Sequence, residues 1–251
     1  MKASIILSLD TATLGGSVWL GRGTSEFAAR SGDPKVSQSA SLLKDINDVL
    51  TEAKLTLADV ELFACASGPG SFTGLRIGIA TLKGLAASLE RPCLGVPTLH
   101  AVAHAAGPSP ATVALLPAGR GEVFAQLLSV SPHGVVAELD TPAHLSPQKL
   151  LERYEAQVDL KWAGAGAHLQ RDLLAAHAQA ANIYFAEAVE HDAAIDGRRG
   201  VWLLAPLESN LAQHVAALAL EHFQTGDLQS PQSLSAIYVR PSDAELNQTC
   251  R

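Results

Sequence analysis

The sequence predicts an α/β protein of two lobes, with a mixed β-sheet in the first. Three observations support that class. The N-terminal stretch reads as three short apolar runs cornered by glycines. Later apolar runs alternate with segments of helical period. Gly107-Pro108-Ser109-Pro110 is a small-residue, proline-rich link near the middle of the chain. A length of 251 residues, 47% of them hydrophobic, is enough for one large domain or two modest ones. We place the first lobe at residues 1–108, and the second lobe with a C-terminal tail at 109–251.

Ile5 to Leu9 reads as a buried strand that ends in Asp10-Thr11-Ala12-Thr13. Gly15-Gly16 turn the chain into a second strand, Ser17 to Leu20, and Gly21-Arg22-Gly23 into a third near Thr24 to Ala29. Ser37 or Ser39 starts a helix to about Ala53, in which Leu42, Leu43, Ile46, Val49 and Leu50 recur at helical spacing. Thr56-Leu57-Ala58-Asp59 has the form of a small capping box ahead of a strand at Leu62 to Ala66. A glycine-rich stretch then opens a helix predicted over Thr73 to Leu89, which Arg91-Pro92 breaks. Cys93 to Val96 is a further buried strand, and Pro97-Thr98 leads a helix through Ala106. The order βββαβαβα makes the first three strands antiparallel and the helix-connected ones parallel. That order is similar to the ribonuclease H-like half-domain of the actin, hexokinase and Hsp70 superfamily.

In the second half, Thr112 to Leu116 and Glu122 to Val130 read as partner strands around a turn at Ala118 to Gly121. Ser131-Pro132-His133-Gly134 turns into a strand at Val135 to Leu139, and Ser146-Pro147 starts a helix to about Tyr154. Val158 to Ser209 alternates short strand and helix signals. Leu211, Val215, Leu218 and Ala219 define a late helix ending near Thr225-Gly226, and a polar loop then leads to Ala236 through Pro241.

The run Gly68-Pro69-Gly70-Ser71-Phe72-Thr73-Gly74-Leu75-Arg76-Ile77-Gly78 has the most chemical content. Glycine lets the backbone turn tightly and approach another group where a Cβ would clash. Ser71 and Thr73 each suit a helix N-cap, and a strand, glycine loop and helix N-terminus together can receive an anion or another backbone. No nucleotide fingerprint is complete. The third glycine of the dinucleotide pattern is missing, no Lys-Ser or Lys-Thr pair follows as in a Walker loop, and Phe72 sits where a nucleophile elbow needs its serine. Along the helix, Leu75, Ile79, Leu82, Ala86 and Leu89 form one stripe, while Gly74, Gly78, Ala80, Gly84, Ala87 and Ser88 form another side. A glycine inside a helix costs about 1 kcal/mol against alanine, so these ask for a close neighbour, in the same domain or across a subunit interface.

The formal net charge is −7, and the pair Arg198-Arg199 stands alone, so strong direct nucleic-acid binding by this chain is not expected. Cys65, Cys93 and Cys250 contain no C-x-x-C spacing, which excludes a zinc ribbon or disulfide framework and fits a reducing compartment. Ile5 to Leu9 is too short for a signal-peptide core and no stretch spans a bilayer, so a cytoplasmic location without a membrane partner is expected. His100 and His104 are spaced i, i+4 but lack a third ligand, as ordinary surface or half-buried histidines do, and no metal site is expected. Asp10 with Thr11 and Thr13 at a strand end can hold a hydrated magnesium or a phosphate, or simply cap a turn. No base or nucleophile accompanies it.

Leu9-Asp10-Thr11-Ala12-Thr13, Gly68 to Gly78, Gly95-Val96-Pro97-Thr98-Leu99, Gly121-Glu122-Val123-Phe124 and Tyr238-Val239-Arg240 occur in the order seen in the bacterial TsaB family, formerly YeaZ, and the chain resembles that family over nearly its whole length. The resemblance implies a two-lobed actin-like ATPase fold, with the late helix at about 208–225 packing back on the first lobe. It implies a non-catalytic scaffold subunit for N6-threonylcarbamoylation of the adenosine 3′ of the tRNA anticodon. The implied partners are a TsaD-like catalytic paralogue, a TsaE-like ATPase and, in isolation, a second copy of the chain. First-lobe helices near Gln38–Ala53 and Thr73–Leu89 would form the interface, through Leu42, Leu43, Ile46, Gly74, Leu75, Gly78, Thr81, Leu82, Gly84 and Leu85.

TsaD-like chains carry two histidine metal ligands after the equivalent loop. Aligned on Val96, those positions are Thr98 and Val102 here, while His100 and His104 lie two residues out of register. The resemblance therefore implies no catalytic residue, no metal and no resident cofactor. At most it allows weak or interface-dependent ATP, ADP and magnesium contact at a vestigial Asp10, Thr11 and Thr13, with Gly68, Gly70, Ser71 and Thr73 as a structural loop. The chain departs from many relatives at Gln38, where they carry His, and at Pro117-Ala118-Gly119, where they carry an Asp-Ala-Arg-like run. The rival readings are a stand-alone actin-like ATPase or small-molecule kinase and, ranked last, a peptidase.

Overall fold

The computed structural model describes residues 4–33, 38–187, 199–226 and 228–239. Ser37, Arg198, Arg240, Pro241 and Cys250, and the side chains of Gln38 and Ser39, lie outside the described residues. The chain divides into two compact units, Met1–Ala101 with Ser209–Arg251, and Val102–Glu208.

The first unit is built on β1 (Ile5–Asp10), which is buried along its whole length. A strand covered on both faces needs a continuous apolar run, and Ile5 to Leu9 supplies it except at Ser8. β1 pairs antiparallel with β2 (Ser17–Arg22), and β2 with β3 (Ser25–Ser31). The chain continues through α1 (Gln38–Ala53), β4 (Leu62–Gly68), α2 (Phe72–Ser88) and β5 (Cys93–Pro97). The sheet order is β3-β2-β1-β4-β5, with β1, β4 and β5 mutually parallel. The capping box before β4 is present, with the Thr56 amide donating to Asp59 Oδ2 at 2.8 Å.

One face of this sheet packs Leu7, Leu9, Leu20 and Phe63 against Leu42, Ile46 and Val49 of α1 and against Ile79 and Leu82 of α2. Alternation along β1 turns Ser8 to the opposite face. There its hydroxyl donates to the Ala212 carbonyl at 2.7 Å, and the Ala212 amide donates to Ser17 Oγ at 3.0 Å. These bonds seat α7 (Leu211–Thr225), whose N-cap Asn210 accepts from the Gln213 amide at 3.3 Å. Two buried hydroxyls, each bonded to backbone, explain how polar side chains sit in an otherwise apolar layer. The late helix thus forms the third layer of the first unit.

The division between units falls after Ala101, within α3 (Thr98–Ala105), and not at the proline-flanked link. Ser109 instead begins β6 (Ser109–Gly119), which pairs antiparallel with β7 (Glu122–Val130). β7 pairs in turn with β8 (Val136–Glu138) and β9 (Ala143–Leu145), and α4 (Pro147–Tyr154) follows. Residues read only as alternating signals form β10 (Leu160–Ala163), α5 (Ala165–Leu169), α6 (Arg171–Ala180), β11 (Tyr184–Glu187) and β12 (Val201–Leu204). The order β11-β12-β10-β6-β7-β8 has its meander on one side of β6 and parallel strands on the other. The second unit therefore repeats the plan of the first. Its core is aromatic: the Trp162 and Trp202 rings meet edge-on at 4.9 Å, Tyr154 meets Trp162 at 6.1 Å, and His177 stacks on Trp202 at 5.5 Å. No helix among the described residues is long and apolar enough to cross a membrane.

Candidate functional site

The glycine loop leaves the carboxyl end of β4, the end of an open parallel sheet where ligands ordinarily bind. Here the chain itself fills that position. The Ser71 amide donates to the Ala12 carbonyl at 2.8 Å, and a Cβ on Gly70 would lie 2.5 Å from the same oxygen. Gly68 adopts φ +115°, and a Cβ there would lie 2.4 Å from the Ile237 carbonyl oxygen. The Ile237 amide donates to the Ser67 carbonyl at 2.7 Å, and the Gly68 amide donates to Thr98 Oγ1 at 3.0 Å. Further along α2, a Cβ on Gly78 would come within 2.1 Å of Thr11 Oγ1. Each of these glycines makes room for a neighbour in the same unit. Of the two candidate caps, Ser71 serves: its Oγ accepts from the Gly74 amide at 3.2 Å, whereas Thr73 lies inside the helix.

Asp10 is 1% exposed, at the end of β1 beside this loop. Its Oδ1 accepts from the amides of Ala12 at 2.8 Å and Thr13 at 3.3 Å, and the Thr13 hydroxyl donates to Oδ2. This is an aspartate closing its own turn. Burial pushes its carboxyl above the usual carboxylate range, and the bonds from Thr13 and Ala12 pull it part of the way back. Thr11 Oγ1 is buried without a hydrogen-bond partner, pressed against Gly78. A shallow cleft beside the turn is lined by Asp10, Gly15, Gly16, Ser41 and Asp45 among others, and the described residues that line it include two carboxylates and no Lys or Arg. Such a lining repels a phosphate group rather than receiving it.

The expected interface residues separate into two sets. Leu42, Ile46, Leu75 and Leu82 lie in the core of the first unit, and Gly74 and Gly78 are on the buried side of α2, so these six are not surface residues of the folded unit. The resemblance implied an interface through all ten residues; within the folded unit these six are packed inward, since an apolar face at helical spacing fills the core first. Leu43 is 66% exposed, Thr81 and Leu85 are half-buried, and a Cβ on Gly84 would meet nothing within 4 Å. Sequence reasoning did not single out Phe72, Arg76 and Tyr238 as a group. The Arg76 guanidinium sits 3.8 Å over the Phe72 ring, whose centroid lies 5.1 Å from that of Tyr238. No local spacing announces a pair so distant in sequence.

Thr98 and Val102 are both buried, and His100 and His104 are half-buried. Among the described residues no group of three or more His, Cys, Asp or Glu side chains is placed to hold a metal ion. Cys65 and Cys93 are buried, and burial pushes both thiols up, away from the thiolate a nucleophile needs.

Residues 36–223 match the family model described as TsaD: tRNA N6-adenosine threonylcarbamoyltransferase. The tRNA threonylcarbamoyladenosine biosynthesis protein TsaB of Escherichia coli (strain K12) is 33% identical over 168 residues, covering 66% of this chain and 72% of that protein. The chain belongs to the TsaB family. Solved structures agree. YeaZ from Pseudomonas aeruginosa superposes with a TM-score of 0.70 at 26% identity, over 94% of this chain and 99% of that one. A second, described as an uncharacterized protein with similarity to peptidase YEAZ from Pseudomonas aeruginosa, gives a TM-score of 0.72 at 25% identity, over 94% and 100% of the two chains. The mixed sheets and these likenesses give the actin-like, ribonuclease H-like fold that the strand order predicted.

Two outcomes follow from the packing of the turn on α2. Gly78→Ala should lower stability in urea unfolding by about 1–3 kcal/mol, and adding Thr11→Ala should recover more than half of the loss, because the clashing hydroxyl is removed. The folded carboxyl of Asp10 titrates above its unfolded value of about 3.9, so the folded state binds the extra proton. Its contribution is present at low pH and is lost as pH rises from about 3.9 through the folded pKa. Asp10→Asn should flatten that part of the stability–pH curve, read by denaturant midpoints between about pH 3.5 and 7.

Proposed function

We propose that this chain is the non-catalytic subunit that supports a TsaD-like transferase in N6-threonylcarbamoylation of the adenosine 3′ of the tRNA anticodon. It works in the cytoplasm alongside a TsaE-like ATPase. One observation carries the reading. The loop at the carboxyl end of β4 is occupied by Ala12 and Ile237, and the Thr98 hydroxyl behind it is engaged by the Gly68 amide. A loop packed this way launches a helix and leaves no cradle for a phosphate. Nucleotide contact at Asp10, Thr11 and Thr13 would be weak, because the Asp10 carboxylate is committed to its own turn. With a net charge of −7, the chain leaves tRNA binding to its partners.

What α2 and α1 leave open is a small-residue side at Ala80, Gly84, Ala87 and Ser88, with Leu43, Thr81 and Leu85 nearby in sequence or on the same helix. We assign this side to docking, against the transferase or against a second copy, in the manner of a helix bundle. Gly84→Glu places its side chain in open space, so the chain should fold as before and lose co-purification with the TsaD-like partner by 10-fold or more. Unchanged co-purification would remove the docking assignment. The function itself is read by depleting the protein and measuring threonylcarbamoyladenosine in bulk tRNA by mass spectrometry. A clear fall is expected, and unchanged modification contradicts the proposal.

A further inference from the structure

Residues 228–239 form neither a helix nor a strand, yet they are tied to the first unit from end to end. Gln229 bridges the edge strand β5: it pairs with Cys93, and its Oε1 accepts from the Gly95 amide at 3.1 Å. Leu234, 2% exposed, inserts where Gly95 has no side chain, since a Cβ there would lie 2.5 Å from Leu234 Cδ1. Lys83 of α2 donates from Nζ to the carbonyls of Leu234 at 3.0 Å and Gln232 at 3.4 Å. The Ile237 amide then joins the Ser67 carbonyl at 2.7 Å, and the Tyr238 ring meets Phe72 in the first turn of α2.

Two glycines on neighbouring strands, Gly68 and Gly95, therefore leave space for this one segment, which indicates a built seat. Its hold is nonetheless light. Leu234 is its one fully buried apolar side chain among the described residues, while Leu228, Ile237 and Tyr238 keep between 38% and 48% of their surface exposed. Segments with few buried apolar contacts and little backbone pairing open at the low end of a protein's stability range. An edge strand such as β5 also needs a cover for its unpaired backbone groups.

We propose that residues 228–239 are a latch that sets the seating of α2. Closed, it covers the β5 edge and grips α2 at two points, through Lys83 and through the Phe72–Arg76 stack. Open, it releases the Gly95 amide, the Ser67 carbonyl, Lys83 and the Phe72 ring together while the Ser71–Ala12 bond still holds the start of α2, so the exposed side of that helix exists in two states. The latch stands on the geometry of the first unit alone and does not depend on the proposed partner.

The test is hydrogen exchange on the full-length chain. Leu234→Ser should speed exchange 10-fold or more at the Gly95 and Ile237 amides and at the amides of Ile77 and Gly78, while Leu7 and Leu9 in β1 keep their protection. Gln229→Ala, a milder change, should speed Gly95 several-fold. If Gly95 responds but α2 does not, the segment is only an edge cover and the latch is overturned. If β1 loses protection alongside α2, or if Leu234→Ser does not fold, the segment belongs to the cooperative core and the latch is equally overturned.

Discussion

The bond from the Ser71 amide to the Ala12 carbonyl, 2.8 Å long, joins the two loops on which the first unit depends. It brings the turn after β1 against the loop after β4, and everything near it is shaped to allow that approach. Gly70 lacks a side chain where Ala12 sits, and Gly78 lacks one where the Thr11 hydroxyl sits. The same approach commits Asp10 to bonds within its own turn. A site that in other open α/β sheets receives a ligand is here closed by backbone. Its physical consequence is a fixed start for α2, and the functional proposal rests on that fixed start.

The fold was legible in the sequence wherever an element was long and strongly patterned. The continuous apolar run of β1 and the glycine corners after it indicated the meander, and the helical spacing of Leu42, Ile46, Val49 and Leu50 indicated α1. The second unit was less legible beyond Tyr154, because β10, β11 and β12 have only four residues each and α5 only five. Runs that short carry no measurable period. The link at Ser109 misled for a related reason: Pro110 sits in a strand whose first residues are only loosely paired, so a turn-like composition coincides with the irregular start of β6. The repeated strand plan of the two units was invisible because it survives in topology and not in residue identity.

The site was legible in part. The motif from Gly68 to Gly78 announced a tight corner and a helix, and both are present. What it could not announce was the neighbour each glycine accommodates, since Ala12, Thr11 and Ile237 approach from other parts of the chain. For the same reason the glycine side of α2 could be read as facing a neighbour in the same domain or a subunit interface; Gly78 faces Thr11 of the same unit, while a Cβ on Gly84 would meet nothing within 4 Å. The exposed remainder of α2 includes the small residues Ala80, Gly84, Ala87 and Ser88, and the Phe72, Arg76 and Tyr238 stack lies at the start of the helix.

The central claim is that the glycine loop is filled by the protein's own chain. Isothermal titration calorimetry of ATP with magnesium on the isolated chain tests it most directly. A loop closed by Ala12 and Ile237, next to a cleft that Asp10 and Asp45 line, should give no binding tighter than the millimolar range. Micromolar binding that Gly70→Ala abolishes without unfolding the chain would contradict it.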